Sequence, residues 1–310
     1  MDEVVFRHPK LDRARVRALS ARSDAKGLRH LAGHGALIAA TAILVGAAGT
    51  PWLAPALLAH GAVLVSLFAP LHECIHRTAF RSVRLNDTVA WVCGAVLLLP
   101  PTWFRHFHFA HHRWTQDPER DPELAAPKPA TLAAWLVHVS GLPYWRVQAA
   151  GLLRRAAGRV DDGFVPPRAK PAVVLEARLY LALYAGVAAV GAAVGTWAPV
   201  LYWIAPALLG QPLLRLYLLA EHTGCPLVAD MLRNTRTTRT NAIVRFLAWN
   251  MPYHAEHHAC PAVPFHALPA LHAVLRDELG VVAPGYLAVQ RELLAALRRD
   301  RAAGSRPAST

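Results

Sequence analysis

Two long uncharged segments constrain the fold of this chain most strongly. No Asp, Glu, Lys or Arg occurs from Leu31 to Leu71 or from Leu179 to Leu214. A helix needs about 20 apolar residues to cross a bilayer, so each segment has room for two spans. Gly49-Thr50-Pro51 and Thr196-Trp197-Ala198-Pro199 supply a turn within each. The sequence therefore predicts an all-α membrane protein with four transmembrane helices in two hairpins. We expect the spans at about 31–49, 52–71, 179–196 and 198–214.

Cations flank the predicted hairpins and are absent from the two outer turns. They lie within residues 13–29, 146–170 and 233–245, and the formal net charge is +13. Because basic residues are retained on the cytoplasmic side, we expect both termini to lie in the cytoplasm. These cations border apolar spans instead of forming a basic nucleic-acid-binding module, so no nucleic-acid partner is expected. An anionic inner leaflet is the predicted electrostatic partner.

The remaining apolar segments do not fit ordinary transmembrane spans. A single crossing over 88–104 would separate the histidine-rich segments on either side of it, so we expect a re-entrant or interfacial segment there. Residues 131–145 are too short to cross and carry aromatic residues, which favours a helix lying in the interface. Residues 1–310 are predicted to form one domain, with a disordered tail at about 302–310.

Three short histidine-rich segments point to a metal site. Box one is His72-Glu73-Cys74-Ile75-His76, box two is His108-Phe109-Ala110-His111-His112, and box three is His254-Ala255-Glu256-His257-His258. On a helix, residues three or four positions apart share a face, so each box can direct its imidazoles to one point. Eight such ligands suit two metal ions better than one. Imidazole accepts Zn, Cu, Fe and Ni alike, so the residues do not name the metal. His106 would point to a different face and is not counted as a ligand.

Carboxylates lie close to the boxes and are candidates to orient the imidazoles. Ligand histidines usually donate their second ring N–H to a carboxylate or a carbonyl. The candidates are Glu73, Asp117, Asp121, Glu221 and Glu256. The chain has no C-x-x-C pair and no G-x-G-x-x-G fingerprint, so a redox reaction would take its electrons from another protein.

The boxes, their order and the intervening hairpin resemble the integral-membrane fatty acid desaturase and hydroxylase superfamily. The resemblance covers roughly residues 60–275 and includes the segments 117–122 and 250–253, the second of which adds Asn250 as a candidate orienting residue. Glu221-His222-Thr223-Gly224 also fits, and the resemblance implies that His222 is a ninth ligand. A box one with three intervening residues is similar to the bacterial acyl-lipid branch. Leu218 replaces the asparagine that supplies a water ligand in acyl-CoA desaturases, which leaves that ligand open.

The resemblance implies two iron ions, O2 as co-substrate and hydrogen abstraction from an unactivated C–H bond. It also implies an external electron donor, such as a ferredoxin, a rubredoxin or a cytochrome b5 type protein with its reductase. The substrate would be a lipid or fatty acyl chain entering from the bilayer, and the location would be a bacterial inner membrane with the metal site on the cytoplasmic side, carried by a helical cap. We expect an apolar tunnel beside the boxes. Its candidate lining residues are Trp91, Trp103, Phe104, Phe107, Trp249 and Tyr253.

The leading functional hypothesis is an O2-dependent fatty acyl desaturase that forms a C=C bond by two hydrogen abstractions. A hydroxylase or ketolase of a lipid or carotenoid uses the same first abstraction, as does a terminal-alkene-forming fatty acid decarboxylase. The boxes do not separate these three reactions. A di-zinc membrane hydrolase is a further alternative, since it also uses histidine ligands. A metal transporter would be expected to carry its ligands near mid-bilayer, whereas the boxes gather at one end of the spans.

Overall fold

The computed structural model describes residues 12–304, with side chains to residue 299. Within this range the chain forms fifteen α-helices and one pair of two-residue strands. The helices are α1 Arg13–Leu19, α2 Asp24–Ala47, α3 Thr50–Val65, α4 Phe68–Ile75, α5 Val83–Leu97, α6 Pro101–Trp114, α7 Leu132–Val139, α8 Leu142–Ala156, α9 Lys170–Ala193, α10 Ala205–His222, α11 Met231–Asn234, α12 Ala242–Leu247, α13 His254–Ala259, α14 Leu268–Leu275 and α15 Tyr286–Gly304. Strands β1 Thr237–Thr238 and β2 Val282–Ala283 pair in parallel. Of the tail predicted to be disordered at about 302–310, residues 302–304 belong to α15 instead, and the rest lies outside the described residues.

Four helical segments of the described chain are long and apolar enough to cross a membrane, which confirms the predicted number. They are Asp24–Ala47, Thr50–Ile75, Pro167–Ala193 and Val200–His222. The second combines α3 and α4, and the fourth adds a short π-helix, Val200–Ile204, to α10.

The bounds of the third span differ most from the expected 179–196, because the helix begins before its uncharged portion. Glu176 in this extension is buried. Its carboxylate accepts hydrogen bonds from the backbone N–H of Thr102 at 2.8 Å and from the Thr102 hydroxyl at 2.9 Å. A carboxylate with these partners can lie inside a helix that continues beyond the apolar run.

The two hairpins pack through a close crossing of α3 and α10. A Cβ atom on Gly61 would lie 2.2 Å from the carbonyl oxygen of Pro206, and one on Gly210 would lie 2.3 Å from the carbonyl oxygen of Gly61. Only glycine lets these backbones approach so closely, as is common between helices in membranes. This contact fixes box one, at the end of the second span, relative to His222 at the end of the fourth.

The segment expected to be re-entrant bends sharply. Helices α5 and α6 meet at an angle of 96°. Leu98 caps α5 in the left-handed conformation, and Pro101 occupies the first position of α6, where its missing N–H costs nothing. The chain therefore does not cross here as one straight helix. The bend starts a new helix, which carries box two.

Residues 131–145 form parts of two helices instead of the single expected helix. Gly141 separates α7 from α8 and has φ of +73°, a conformation that favours glycine. A Cβ atom there would also lie 2.4 Å from the Gln211 side chain on α10. The break therefore brings the α7–α8 corner against the fourth span.

Candidate metal centre

Three short helical segments present the boxes to one another. His72 lies on α4 and His76 caps its C-terminus. All three histidines of box two lie on α6, and all three of box three lie on α13. Helix α13 is buried over its whole length and contacts α11, α14 and β1. The i, i+3 and i, i+4 spacings place the imidazoles of each segment on one face.

The nine candidate histidines gather into two adjoining groups. In group one, five ligand nitrogens lie within 4.8 Å of one another, and in group two, three nitrogens meet the same limit. His254 joins group two, because its Nε2 lies 3.2 Å from Nε2 of His222. Group one consists of His72, His76, His108, His112 and His257. Group two consists of His111, His222, His258 and His254.

The spacing between nitrogens fits metal coordination. Nε2 of His108 lies 2.9 Å from Nε2 of His112, and Nε2 of His111 lies 3.2 Å from Nε2 of His222. Nitrogens that lie about 2.0–2.1 Å from one metal ion are about 2.9–3.4 Å apart in octahedral or tetrahedral geometry.

Buried nitrogens without partners give the same indication. His72 and His257 are buried, and neither ring nitrogen of either residue has a hydrogen-bond partner among the described residues. Buried polar atoms are normally satisfied, so a cation in this space would supply the missing interaction. The residues present therefore fit two metal ions.

Burial keeps box three in the form that binds metal. Desolvation holds the pKa of His254, His257 and His258 well below the ordinary histidine value, and neighbouring imidazoles lower it further. These rings are therefore neutral at physiological pH. Neutral imidazole, with a free lone pair, is the form that ligates a metal.

Hydrogen bonds orient several rings of group two. Nδ1–H of His111 donates to both oxygens of Asp121, at 2.9 and 3.1 Å, and Nδ1–H of His222 donates to the carbonyl oxygen of Asn234 at 3.4 Å. The Thr115 hydroxyl donates to the carbonyl of His111 at 2.7 Å, so its oxygen accepts Nδ1–H of His258 at 3.2 Å. Each contact leaves Nε2 of the ring as the metal-facing atom. Of these partners, the sequence indicated Asp121 only.

Four of the other orienting candidates have different contacts from those expected. Glu73 accepts the backbone N–H of Phe265 at 3.0 Å. Asp117 caps the turn that follows box two and pairs with Arg120 at 2.9 Å. Both residues therefore bind backbone or arginine groups instead of imidazoles of the boxes.

The orienting candidates in and beside box three also contact groups other than the candidate ligand rings. Asn250 donates to the carbonyl of Phe265 at 3.1 Å, and Glu256 contacts His272 and the hydroxyl of Thr237. These side chains fix the segments around α13. Proximity in sequence therefore does not distinguish these side chains from the residues that contact the rings of the nine candidate histidines.

Two carboxylates face the metal side of group two. Oε2 of Glu221 lies 3.6 Å from Nε2 of His254. Oε2 of Glu123 lies 3.4 Å from Nε2 of His111. The sequence interpretation assigned Glu221 to orienting a ring through its second nitrogen, and it missed Glu123. Glu123 belongs to the same Asp-Pro-Glu segment as Asp121. The repeated Asp-Pro-Glu was the available signal.

A cavity of about 520 Å³ opens onto the histidines. Trp103, Phe104 and Phe107 contribute its apolar wall, together with Leu218. His72, His108, His111 and His254 line the same space, and Lys128 and Arg215 add cations. Its volume is in the usual range for ligand pockets, about 300–1,000 Å³. Of the expected tunnel residues, Trp91, Trp249 and Tyr253 pack elsewhere, against Tyr180, Phe265 and His272 respectively.

Comparison with known proteins agrees with this geometry. A family model described as fatty acid desaturase matches residues 17–289. The chain belongs to the fatty acid desaturase family. Membership indicates that it is an oxidoreductase of the membrane.

Several curated relatives are desaturases at low identity. A dihydrorhizobitoxine desaturase from Bradyrhizobium elkanii is 26% identical over 264 residues, which cover 77% of this chain and 70% of the relative. A delta(12)-fatty-acid desaturase from Arabidopsis thaliana is 27% identical over 266 residues, covering 75% and 69% respectively. An sn-1 oleoyl-lipid 12-desaturase from Picosynechococcus sp. is 23% identical over 256 residues, covering 74% and 71%.

Proposed function

We propose that this protein is an O2-dependent diiron desaturase that introduces a C=C bond into a fatty acyl chain. The observation that carries the proposal is the cavity whose aromatic wall ends on two adjoining groups of buried imidazoles. An apolar chain fits the wall, and a redox metal pair fits the histidines. Family membership favours desaturation among the reactions that share this type of centre.

The histidines of groups one and two would hold the two iron ions. Iron bound there supplies the O2-dependent oxidation of an unactivated C–H bond. The contributions of the chain itself are positioning and exclusion of water. The aromatic side chains of Trp103, Phe104 and Phe107 hold the apolar substrate beside His72 and His108. The same region of the acyl chain is thereby positioned at the metal centre in each turnover.

The proposed arrangement in the cell follows from the charges. We place the boxes and both termini on the cytoplasmic side of a bacterial inner membrane, with the helices outside the spans forming a cap there, because the cations flank that end of the hairpins. Acyl substrate would enter from the bilayer. Electrons would come from a separate ferredoxin, rubredoxin or cytochrome b5 type protein.

Product analysis tests the proposal. Isotopically labelled acyl lipids are supplied to an expressing host, and products are analysed by mass spectrometry with a strain lacking the protein as control. Loss of two hydrogens without gain of oxygen is the expected result. Oxygen in the product would establish a hydroxylase or ketolase instead, and loss of a carboxyl carbon would establish a decarboxylase.

Metal analysis of anaerobically purified protein separates the oxidative reaction from hydrolysis. Two iron ions per chain are expected. Two zinc ions in an active preparation that needs neither O2 nor reductant would overturn the proposal.

A further inference from the structure

Group two differs from group one in having carboxylates on its metal side. Oε2 of Glu123 lies 3.4 Å from Nε2 of His111, and Oε2 of Glu221 lies 3.6 Å from Nε2 of His254. Among the described residues, no carboxylate forms a comparable contact with an imidazole of group one. The two metal positions are therefore chemically unequal.

The tautomer of His111 makes its contact with Glu123 informative. Nδ1–H of His111 donates to Asp121, so a neutral ring carries its lone pair on Nε2. That lone pair faces the carboxylate oxygen of Glu123 at 3.4 Å and Nε2 of His222 at 3.2 Å. His222 likewise uses Nδ1–H for the carbonyl of Asn234. Acceptor atoms this close to the lone pair of His111 repel it unless a proton or a metal ion lies between them.

The other oxygen of Glu123 is already occupied. Oε1 pairs with the ammonium of Lys128, which also lines the cavity. With Oε1 held by Lys128, Oε2 is the oxygen that faces group two.

Charge balance gives a reason for a carboxylate at this position. The nine imidazoles are neutral ligands, so two divalent ions bound by them alone would leave four positive charges largely buried. Uncompensated buried charge is costly. Leu218, one helical turn before His222, offers no ligand atom. Glu123 supplies an anionic oxygen, and carboxylate combined with imidazole is a ligand set typical of non-haem iron sites.

We propose that Glu123 is a direct ligand of the metal ion held by group two, through Oε2, while Lys128 holds Oε1. The inference rests on the proposed diiron centre. It assigns one metal position five imidazoles and the other a mixed set of imidazoles and carboxylate. Glu123 is thereby a metal ligand outside the histidine boxes.

The test compares iron binding by Glu123→Gln and by Glu119→Gln. Glu119 occupies the same position in the preceding Asp-Pro-Glu and is exposed, so it is a matched control. Purified full-length protein is stripped of metal and titrated anaerobically with ferrous iron, with bound iron measured by elemental analysis. Mössbauer spectra of isotopically enriched iron report each site separately, without turnover.

Glu123→Gln should lower the affinity for one of the two iron ions by at least about 10-fold. Loss of a residue that only orients a ligand already lowers metal affinity by about 10–100-fold. The spectrum of the other site should stay unchanged, and Glu119→Gln should match wild type. Lys128→Gln should bind the second ion more weakly than wild type but more tightly than Glu123→Gln, since Lys128 orients the ligand without contacting the metal. Glu123→His, which restores a ligand nitrogen, should recover the second ion with an altered spectrum.

Two results would overturn the assignment. One is a Glu123→Gln protein with both ions bound at wild-type affinity and an unchanged spectrum. The other is equal loss of iron in Lys128→Gln, which would mean that the ion pair orders the loop and Glu123 is no ligand. Failure of the diiron proposal is distinguishable from both, because wild-type protein would then bind no iron pair at all.

Discussion

Replacing Asp121 with asparagine tests whether this carboxylate orients His111 for metal binding. Asp121 is buried, with 1% of its side chain exposed. Oδ1 accepts the backbone N–H of Glu123 at 2.9 Å, and Oδ2 accepts the backbone N–H of Gln116 at 2.8 Å. Both oxygens also receive Nδ1–H of His111, at 2.9 and 3.1 Å.

An amide cannot reproduce this arrangement in either orientation. Its NH2 group must face the N–H of Gln116 or the N–H of Glu123, so one donor meets another. Leaving one buried donor unsatisfied costs about 1–3 kcal/mol. Loss of the negative charge also weakens the orientation and basicity of His111, which costs about 10–100-fold in metal affinity. We therefore expect lower thermal stability of the metal-free protein and at least about 10-fold weaker binding of one iron ion.

Asp117→Asn is the matched control, because Asp117 begins the other Asp-Pro-Glu of the same loop. Its oxygen Oδ1 caps the N–H groups of Glu119 and Arg120, and an amide oxygen can continue to do so. The other oxygen pairs with exposed Arg120, a contact worth about 0–1 kcal/mol. Iron binding by this variant should equal that of wild type.

The assay is an anaerobic ferrous iron titration of both variants, accompanied by thermal unfolding of the metal-free proteins. If Asp121→Asn binds both iron ions with wild-type affinity, Asp121 does not prepare His111 for a metal. If Asp117→Asn loses iron to the same extent, the loop as a whole, and not the contact with His111, determines affinity.

Three further outcomes are expected. His112→Ala should abolish turnover while the protein remains inserted in the membrane. His106→Ala should retain much of its activity, because His106 belongs to neither group and lines a depression to which none of the nine candidate histidines contributes; equal loss in both variants would argue against the grouping. Gly61→Ala should destabilise the protein by about 1–3 kcal/mol, since the new methyl group would overlap the carbonyl of Pro206 at 2.2 Å. Gly35→Ala, with no neighbour within 4 Å, should not, and unfolding of both in detergent would show whether the close helix crossing matters. Chelation should abolish activity and addition of ferrous iron should restore it; recovery with zinc alone would contradict an oxidative reaction.

Much of the architecture can be predicted from the sequence, because membrane insertion depends on the hydropathy, charge and length of local segments. Uncharged length alone gave the four spans, although it missed the start of the third. That helix continues through Glu176 because Thr102, distant in sequence, satisfies the carboxylate. The break at Gly141 was missed for a similar reason, since the need for glycine arises from its contact with Gln211 on another helix.

The sequence by itself determined the four spans and the histidine-bearing segments, because hydropathy and helical spacing act over neighbouring residues. Tertiary structure alone decided how the histidines divide between two groups, with box two contributing to both. It also decided which of two identical tripeptides contacts the histidines. The two are Asp117-Pro118-Glu119 and Asp121-Pro122-Glu123. Only the second lies against His111. No local property separates the two copies, because their difference depends on where the turn after box two places each one relative to helices distant in sequence.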